Sequence, residues 1–307
     1  MALNFEKMVS MFATAANGTD KLQLPDNQLG ILMSDIVDGS TLKTLSSRSV
    51  TSSVDSGSIT YLKIIRTDKK EKTKIGISDI PASSYNPITL TWDKAYYNSV
   101  GFTASDLAKG IPNATAQYMM LFADDYAKDL EVDGWKKIEE NILTNKVTQA
   151  PYLTLPDKNK VNYIVSKLTN KLLYLVDKKE GIRYVNRNSI VVHMKPELLD
   201  ELSTQNIIGN RADVSFAGGR YSIGTFMGYT VVSNQFLDKY DIVVATNYSI
   251  GTANRLLATN VGPVGNTNDI QVYYEHQSLM GIIYPTTIFG YSISTAANNA
   301  DAPKSSQ

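Results

Sequence analysis

Residues 56–76, SGSITYLKIIRTDKKEKTKIG, restrict the fold of this chain more than any other segment. The first half is rich in β-branched and aromatic residues, such as Ile59 and Tyr61, and predicts a strand. The second half is rich in lysine and ends at Gly76. The β-branched and aromatic residues that follow predict a second, longer strand ending near Phe102. Since an isolated two-stranded ribbon is only marginally stable in water, we expect this ribbon to lean on another surface. We also expect residues 56–76 to contribute little to the fold of their own chain, because so polar a ribbon buries little apolar area.

The charge of this stretch is local. Residues 56–76 contain six basic and two acidic residues, whereas the whole chain balances 30 Lys and Arg against 30 Asp and Glu. A net charge of zero argues against strong binding of phosphate groups by the chain as a whole. We therefore look for the partner of the ribbon in a protein surface of negative charge.

Composition excludes several classes of function. The 307 residues include no cysteine and two histidines, so neither thiolate metal sites, cysteine nucleophiles nor a His-rich metal site can form. We expect no metal and no cofactor. A hydrophobic content of 43% describes a globular protein with a real core. No apolar run approaches the roughly 18 residues that span a bilayer, so we expect no membrane partner.

Two long segments predict helices. In residues 113–143, apolar side chains recur at helical spacing on one side, while acidic side chains occupy the other. The inward set is Ala116, Met119, Met120, Ala123, Ala127 and Leu130, continued by Trp135, Ile138 and Ile142. The set predicted to face solvent is Asp124, Asp125, Asp129, Glu131 and Asp133. Gly134 predicts a bend or break. The second helix is predicted over 157–181, with Asp157 as its cap and Gly181 at its end.

The remaining chain is rich in strands. Buried or half-buried strands are predicted in NSIVVHM, RYSIG, GYTVVSN, DIVVATN, DIQVYYE, LMGIIYP and TIFGYSI. Two short helices are predicted among them, KPELLDELSTQN at 195–206 and GTANRLLA at 251–258. The glycine-rich segments GGRYSIG and VGPVGNTN are interpreted as turns, because neither follows a strand and opens a helix as a phosphate cradle must.

No set of residues predicts catalysis. The adjacent pairs Asp124-Asp125 and Glu139-Glu140 lie on helices, where neighbours in sequence point in different directions, and are interpreted as parts of a solvated face. His193 lies inside the apolar run IVVHM and is interpreted as a core histidine. Ser222 and Ser233 have neither a partnered histidine nor the turn motif of a serine nucleophile. We expect no enzymatic activity.

The order of these elements, together with two segments, resembles a known family. The order is an N-terminal arm, a β-ribbon, a long helix, a mixed α/β block and closing strands. FMGYTVVSNQFLDKYDIVVATN and IQVYYEHQSLMGIIYPTTIFGYSI are similar to the family's glycine-strand-polar-strand pattern and to its closing segment. The family is the major capsid proteins of tailed bacteriophages, with the Hong Kong 97-like fold. The resemblance covers nearly the whole chain and implies an α+β fold.

The resemblance implies a division of the chain. In the order of the chain it gives an N-terminal arm at 1–50, an extended β-ribbon called the E-loop at 51–90, a peripheral domain with a long spine helix at 91–149, an axial domain at 150–267, closing strands at 268–294 and a mobile C-terminal tail at 295–307. In the family, the E-loop reaches across a neighbouring subunit, which gives the ribbon the second surface that it needs.

The resemblance also implies function and partners. It implies a structural subunit that assembles with copies of itself into pentamers and hexamers of an icosahedral or prolate phage head. The head is assembled in the host bacterial cytoplasm, is part of the virion and contacts the enclosed double-stranded DNA weakly. Because about 50 residues precede the ribbon, a separate scaffolding protein or none is expected, with portal and decoration proteins as further partners. The alternatives are an encapsulin-type nanocompartment and, from another class, an α/β hydrolase or carbohydrate-binding protein.

Two groups of residues are candidates for subunit contacts. The interface candidates are Lys63, Arg66, Lys69, Lys70, Lys72 and Lys74 on the ribbon, with Asp125 and Asp129 on the long helix. Some family members also join subunits by an isopeptide bond between an E-loop lysine and an asparagine seven residues before a glutamate. Lys69, Asn268 and Glu275 have that arrangement here. The acidic residue also occurs in relatives without the bond, so we expect no crosslink.

Overall fold

The structure is a computed structural model. It describes residues 22–23, 40–47, 57–64, 85–103, 112–142, 147–148, 160–207, 223–263 and 269–293. The α-helices in these ranges are α1 Pro112–Glu140, α2 Lys160–Leu173 and α3 Pro196–Ile207. The strands are β1 Leu22–Gln23, β2 Ser58–Ile64, β3 Tyr85–Thr91, β4 Tyr96–Phe102, β5 Val147–Thr148, β6 Val176–Asp177, β7 Ile182–Arg183, β8 Ile190–Met194, β9 Ile223–Phe226, β10 Tyr229–Ser233, β11 Ile242–Thr246, β12 Ile250–Pro263, β13 Ile270–Ile282 and β14 Phe289–Tyr291. None of the helices described is long and apolar enough to cross a membrane.

The chain divides into two compact units. Unit 1 comprises 1–43, 91–134 and 252–280; unit 2 comprises 44–90, 135–251 and 281–307. The residues of β12 from Thr252 onwards belong to unit 1, whereas Ile250 and Gly251 belong to unit 2. Most of the expected arm, the tip of the ribbon and the C-terminal tail lie outside the described residues.

Unit 1 contains a sheet with the strand order β1-β12-β13-β4. Strand β13 pairs antiparallel with β4, from Ile270 opposite Phe102 to His276 opposite Tyr96. Alternate side chains of β13 are buried, as expected for a strand with one covered face. Helix α1 contributes Tyr126 to that buried side, where its hydroxyl donates to Asn254 Oδ1 at 2.9 Å.

Unit 2 is built on a sheet with the strand order β5-β14-β11-β8-β10-β9. Strand β8 lies between β11, which is antiparallel to it, and β10, which is parallel. All five of its residues are buried, and a continuous apolar run is what a central strand covered on both faces requires. Helix α2 adds its apolar face to the same core through Val161, Ile164, Val165, Leu168 and Leu172.

The second predicted helix is shorter than expected. Helix α2 ends at Leu173, not near Gly181, because the chain folds back into the hairpin β6–β7. The Tyr184 N–H donates to the Leu175 carbonyl at 2.9 Å and the Val185 N–H to the Leu173 carbonyl at 3.3 Å. Gly181, with φ of 69°, serves the hairpin turn instead of a helix end.

The predicted helix over 251–258 is wrong, since these residues belong to strand β12. Alanine, arginine and leucine in this segment favour a helix when considered locally. The strand nevertheless pairs with β13, and with β1 at Asn260 and Val261, and pairing with distant parts of the chain outweighs local propensity. On its surface the Arg255 guanidinium lies 4.3 Å from the ring centre of Trp92.

The predicted break at Gly134 is also wrong, because α1 continues through it to Glu140. Glycine is needed here for packing. A Cβ atom at this position would lie 2.3 Å from Leu42 Cδ1, so the missing side chain makes room for Leu42. Leu42 belongs to the 3₁₀ helix Leu42–Leu45 and is 1% exposed.

The long second strand of the ribbon is divided in two. Strand β3 pairs with β2, as the ribbon prediction requires, while β4 pairs with β13 in a different sheet. Residues 92–95 separate them, and the Asp93 N–H donates to the Ser278 carbonyl at 3.0 Å. The ribbon therefore consists of β2 and β3 alone.

A carboxylate at the end of α1, that of Glu139, binds a loop of unit 2. The interpretation of Glu139 as part of a solvated face is wrong, because its side chain is buried. Glu139 is 3% exposed and accepts the backbone N–H groups of Asp238 at 3.0 Å, Lys239 at 3.1 Å and Tyr240 at 3.2 Å. Burial raises the pKa of Glu139, and these three bonds partly offset that effect. The carboxylate thus satisfies three donors that would otherwise cost free energy.

We expect Glu139→Gln to lower the free energy of unfolding by about 2–3 kcal/mol. The glutamine amide keeps one acceptor oxygen but places an NH₂ group against a backbone donor. Glu140→Gln is the matched control, since Glu140 is exposed, and it should change stability by less than about 0.5 kcal/mol. Urea unfolding of both variants checks this; equal losses would contradict the assigned role of Glu139.

Candidate subunit interface

Helix α1 presents one exposed face that carries both large apolar and acidic side chains. Leu121 is 53% exposed, Val132 50% and Tyr118 37%. Asp125 and Asp129 are exposed between them. The spacing of three, four, four and three residues places all five on one side of a helix. We call these five residues the exposed helix face.

The opposite side of α1 is buried, as predicted. The prediction that Glu131 faces solvent is wrong, because Glu131 is 1% exposed and accepts the Thr41 backbone N–H at 2.7 Å. Ala127 and Leu130 are each 8% exposed, and Trp135 and Ile138 are fully covered. The side chains of Met119, Met120 and Ala123, which were predicted to face inward, lie outside the described residues. The exposure of Tyr118, Leu121 and Val132 was not predicted. The sequence contained this information, because the three residues lie on the same side of the helix as Asp125 and Asp129.

The exposed helix face carries repelling charges. Asp125, Asp129 and Asp133 are four residues apart, and like charges at this spacing destabilise a helix. The pKa of Asp129 is raised, first by partial burial and then by the carboxylates of Asp133 and Asp125. Nearby, the Lys128 ammonium pairs with Asp124 at 2.6 Å. A cationic surface placed on Asp125 and Asp129 would relieve this repulsion.

Lys63, predicted to be an interface residue, is buried inside its own unit. Its side chain is 4% exposed, forms an ion pair with the Glu180 carboxylate and lies 4.9 Å from the ring centre of Tyr284. A buried ammonium group needs such a partner, because its desolvation is costly. Lys63 is therefore satisfied within the chain and is not displayed to a neighbour.

The base of the ribbon is part of the fold of unit 2. Ile59 and Tyr61 on β2 are each 1% exposed. A Cβ atom at Gly251 would lie 2.6 Å from the ring of Tyr61, so the glycine permits this contact. The expectation that this ribbon contributes little to the subunit is wrong for β2. The other ribbon candidates, Arg66, Lys69, Lys70, Lys72 and Lys74, lie outside the described residues.

The crosslinking residues are only partly described. Glu275 lies on β13, half-buried, and its Oε2 accepts the hydroxyl of Tyr273 at 2.8 Å. That bond raises the pKa of Tyr273. Asn268 and Lys69 lie outside the described residues. The three residues that an isopeptide bond would need are therefore identified by their sequence spacing alone.

We expect that no such crosslink forms. Boiled and denatured protein should migrate as one band near the chain mass of 33.8 kDa. Denaturing gel electrophoresis of assembled particles checks this. A ladder of dimers and higher multiples, lost in Glu275→Ala, would contradict it.

Both histidine side chains are buried within the fold. His193 is fully buried, as predicted, with its Nε2 2.9 Å from Thr44 Oγ1 and its ring centre 4.6 Å from that of Trp135. Burial lowers the pKa of His193 to about 3. His276 is 8% exposed and its ring centre lies 4.0 Å from that of Tyr126.

Unit 2 contains a cavity of about 340 Å³ lined in part by Ser189, Tyr248 and Tyr284. Its one lining carboxylate, Glu180, is bonded to Lys63. This arrangement has no nucleophile beside a general base. Within the described ranges, no group of histidine, aspartate and glutamate side chains could hold a metal ion.

The fold resembles solved capsid structures. No protein-family model matches the sequence, and no curated protein matches it. The capsid of cyanophage P-SCSP1u aligns with a TM-score of 0.57 at 11% identity, over 82% of this chain and 88% of that chain. The mature capsid of bacteriophage PhiM1 aligns with a TM-score of 0.55 at 13% identity, over 82% and 86%. The capsid of an empty GTA particle aligns with a TM-score of 0.50 at 12% identity, over 82% and 89%.

These likenesses extend over most of both chains, so they concern the whole arrangement of helices and sheets and not one shared motif. At such low identity they report on fold. The chain therefore has the α+β fold of the bacteriophage capsid proteins, the Hong Kong 97-like fold.

Proposed function

We propose that this chain is the major capsid subunit of a bacteriophage and assembles with copies of itself into a closed shell around double-stranded DNA. The observation that carries the proposal is the likeness of the fold, over 82% of the chain, to the proteins of the P-SCSP1u and PhiM1 capsids. The role is structural, and the protein resides in the virion.

The exposed helix face supports self-association. Three large apolar side chains, Tyr118, Leu121 and Val132, stand in a row with two carboxylates between them. A contiguous exposed surface of this kind is typical of a contact with another protein. The lysine-rich stretch 66–74 of a neighbouring copy has the opposite charge. We propose that it lies along this face, with the ammonium groups near Asp125 and Asp129.

In this proposal the contact repeats in every subunit. Each exposed ion pair contributes at most about 1 kcal/mol, so a single contact is weak. A closed shell of pentamers and hexamers repeats it many times, and this makes the whole assembly stable. Scaffolding, portal and decoration proteins are the further partners that such a shell would take.

Sedimentation velocity of the purified chain tests the proposal. We expect species far larger than the 33.8 kDa chain, either closed particles or capsomers, in the presence of moderate salt. A single species at the mass of one chain, over the range of concentrations at which the protein stays soluble, would overturn it.

A further inference from the structure

Helix α2 has a solvent face on which the ionic charges are all positive. The helix contains three lysines, Lys160, Lys167 and Lys171, and no aspartate or glutamate. Their spacing of seven and four residues places them on one side of the helix, beside the buried stripe, and Lys167 and Lys171 are exposed. Tyr163, 48% exposed, lies on the same side, and the Lys167 ammonium is 5.7 Å from its ring centre. Solvated helix faces usually mix charges of both signs, so this one is unusual.

The hairpin β6–β7 continues this surface. It is held to the end of α2 by the backbone bonds of Tyr184 and Val185 described above. It exposes Lys178, Lys179 and Arg183. Tyr184 is 59% exposed, and Tyr174, at the junction with the helix, is 74% exposed. We call residues 160–187, as displayed by α2 and the hairpin, the basic tyrosine surface.

The acidic residues of this segment are engaged within the chain. Asp177 Oδ1 accepts the backbone N–H groups of Lys179 at 3.0 Å and Glu180 at 3.2 Å, which shapes the turn. The Glu180 carboxylate is bonded to the buried Lys63. Residues 160–187 contain seven basic and two acidic residues, a net charge of +5 in a chain of net charge zero.

We propose that the basic tyrosine surface binds the phosphodiester backbone of a nucleic acid. Lysine and arginine gain affinity for such a polyanion by releasing its counterions. Tyrosine hydroxyls donate to phosphate oxygens, and tyrosine rings stack on bases where strands are open. A helix of 14 residues is about 21 Å long, and duplex DNA presents about 12 phosphate charges over that distance.

A nucleic acid fits this surface better than an acidic face of another copy. The exposed acidic row on α1 offers three carboxylates, Asp125, Asp129 and Asp133, over two turns. Residues 160–187 contain seven basic side chains, more than the three carboxylates of that row, whereas a phosphate backbone supplies as many charges as the surface can cover. The inference does not depend on the chain forming a shell.

Fluorescence anisotropy with a labelled DNA duplex of about 20 base pairs tests the inference, with a single strand of equal length as the second probe. The full-length chain is used unassembled. The test variant is Lys167→Gln, Lys171→Gln, Lys179→Gln. The matched control is Lys94→Gln, Lys136→Gln, Lys239→Gln, which removes three exposed lysines elsewhere.

We expect the wild type to bind at about 50 mM salt and the control to bind within about twofold of it. The test variant should bind DNA at least about tenfold more weakly than the wild type. In a plot of the logarithm of the association constant against the logarithm of the salt concentration, its slope should be less steep by about 3. Stronger binding of the duplex or of the single strand identifies which form of nucleic acid the surface prefers; both outcomes support the inference.

Equal losses in the test and control variants would overturn the inference, because they would show that charge anywhere on the chain suffices. Failure of the wild type to bind either probe would overturn it too. If the wild type binds no DNA and the test variant differs from the wild type in self-association, the surface contacts another copy of the chain and the inference is wrong. Thermal melting of both variants excludes loss of fold as the cause.

Discussion

A variant carrying Asp125→Lys and Asp129→Lys is expected to fold like the wild type and to form no closed particles. Both carboxylates are exposed, so their replacement disturbs no core packing. The two introduced lysines still repel each other at a spacing of four residues, whereas the change at position 129 turns its repulsion with Asp133 into an attraction, so the helix should change in stability by less than about 0.5 kcal/mol. In the proposed contact, however, two attractive positions become repulsive in every subunit of the shell.

The charge reversal can be rescued within one chain. Adding Lys69→Glu, Lys70→Glu, Lys72→Glu and Lys74→Glu to the double variant restores opposite charges across the contact, and particle formation should return. The control is Glu140→Lys with Glu197→Lys, which reverses two exposed acidic residues outside the exposed helix face and should assemble. The yield of pelletable particles measures assembly, and circular dichroism measures fold. Normal assembly of the Asp125/Asp129 double variant would contradict the proposed contact.

The unassembled subunit is expected to lose stability steeply as the pH falls from about 7 to 4. Burial lowers the pKa of His193 to about 3. Burial lowers the pKa of His276 to about 4, against a smaller opposing effect of Glu275. An unfolded histidine titrates near pH 6.5. Between these values the unfolded chain binds protons that the native chain does not, so native stability is fully present above about pH 6.5 and is lost below it.

The surroundings explain why protonation is unfavourable. Thr44 Oγ1 and the ring of Trp135 face His193, and three tyrosine rings, those of Tyr96, Tyr126 and Tyr274, surround His276. None of these groups is an anion. Glu139, whose pKa is raised by burial, acts in the opposite direction as the pH falls and reduces the net loss.

Urea unfolding at about pH 7 and pH 5 measures the effect. Below about pH 6.5, protonation of each histidine in the unfolded chain lowers the free energy of unfolding by close to 1.4 kcal/mol per pH unit. The two histidines together, less the opposing effect of Glu139, should therefore cost the wild type about 2 kcal/mol or more between these pH values. His193→Gln with His276→Gln lowers stability at neutral pH through lost packing, but its loss on acidification should be less than half as large. If both proteins lose the same amount, groups other than these histidines cause the acid sensitivity.

Sequence patterns were sufficient where one apolar face decides the structure. Helix α2 buries the residues that its 3.6-residue period selects, such as Ile164 and Leu168. Strand β8 is the buried strand that the apolar run IVVHM predicts, and all five of its residues are buried. The outward direction of Asp125 and Asp129 on α1 follows from the same period. In each case the information lies within one turn or one strand.

Patterns failed where contacts between distant residues decide. Strand β12 contains a helix-favouring segment, and its strand pairing depends on β1 and β13. The lysine-rich composition around Lys63 suggested an exposed charge, but its partner Glu180 lies 117 residues away in the chain. Gly134 suggested a break, whereas Leu42 requires the space. None of these partners can be identified from local sequence.

Electron microscopy of the purified protein is the most direct test of whether this chain forms a shell. We predict closed particles of uniform diameter, or rings with five- and six-fold symmetry, and a reconstruction in which the exposed helix face of α1 is covered by residues 66–74 of a neighbouring copy. Images that contain only single chains of 33.8 kDa, under conditions in which the protein is folded and concentrated, would contradict it.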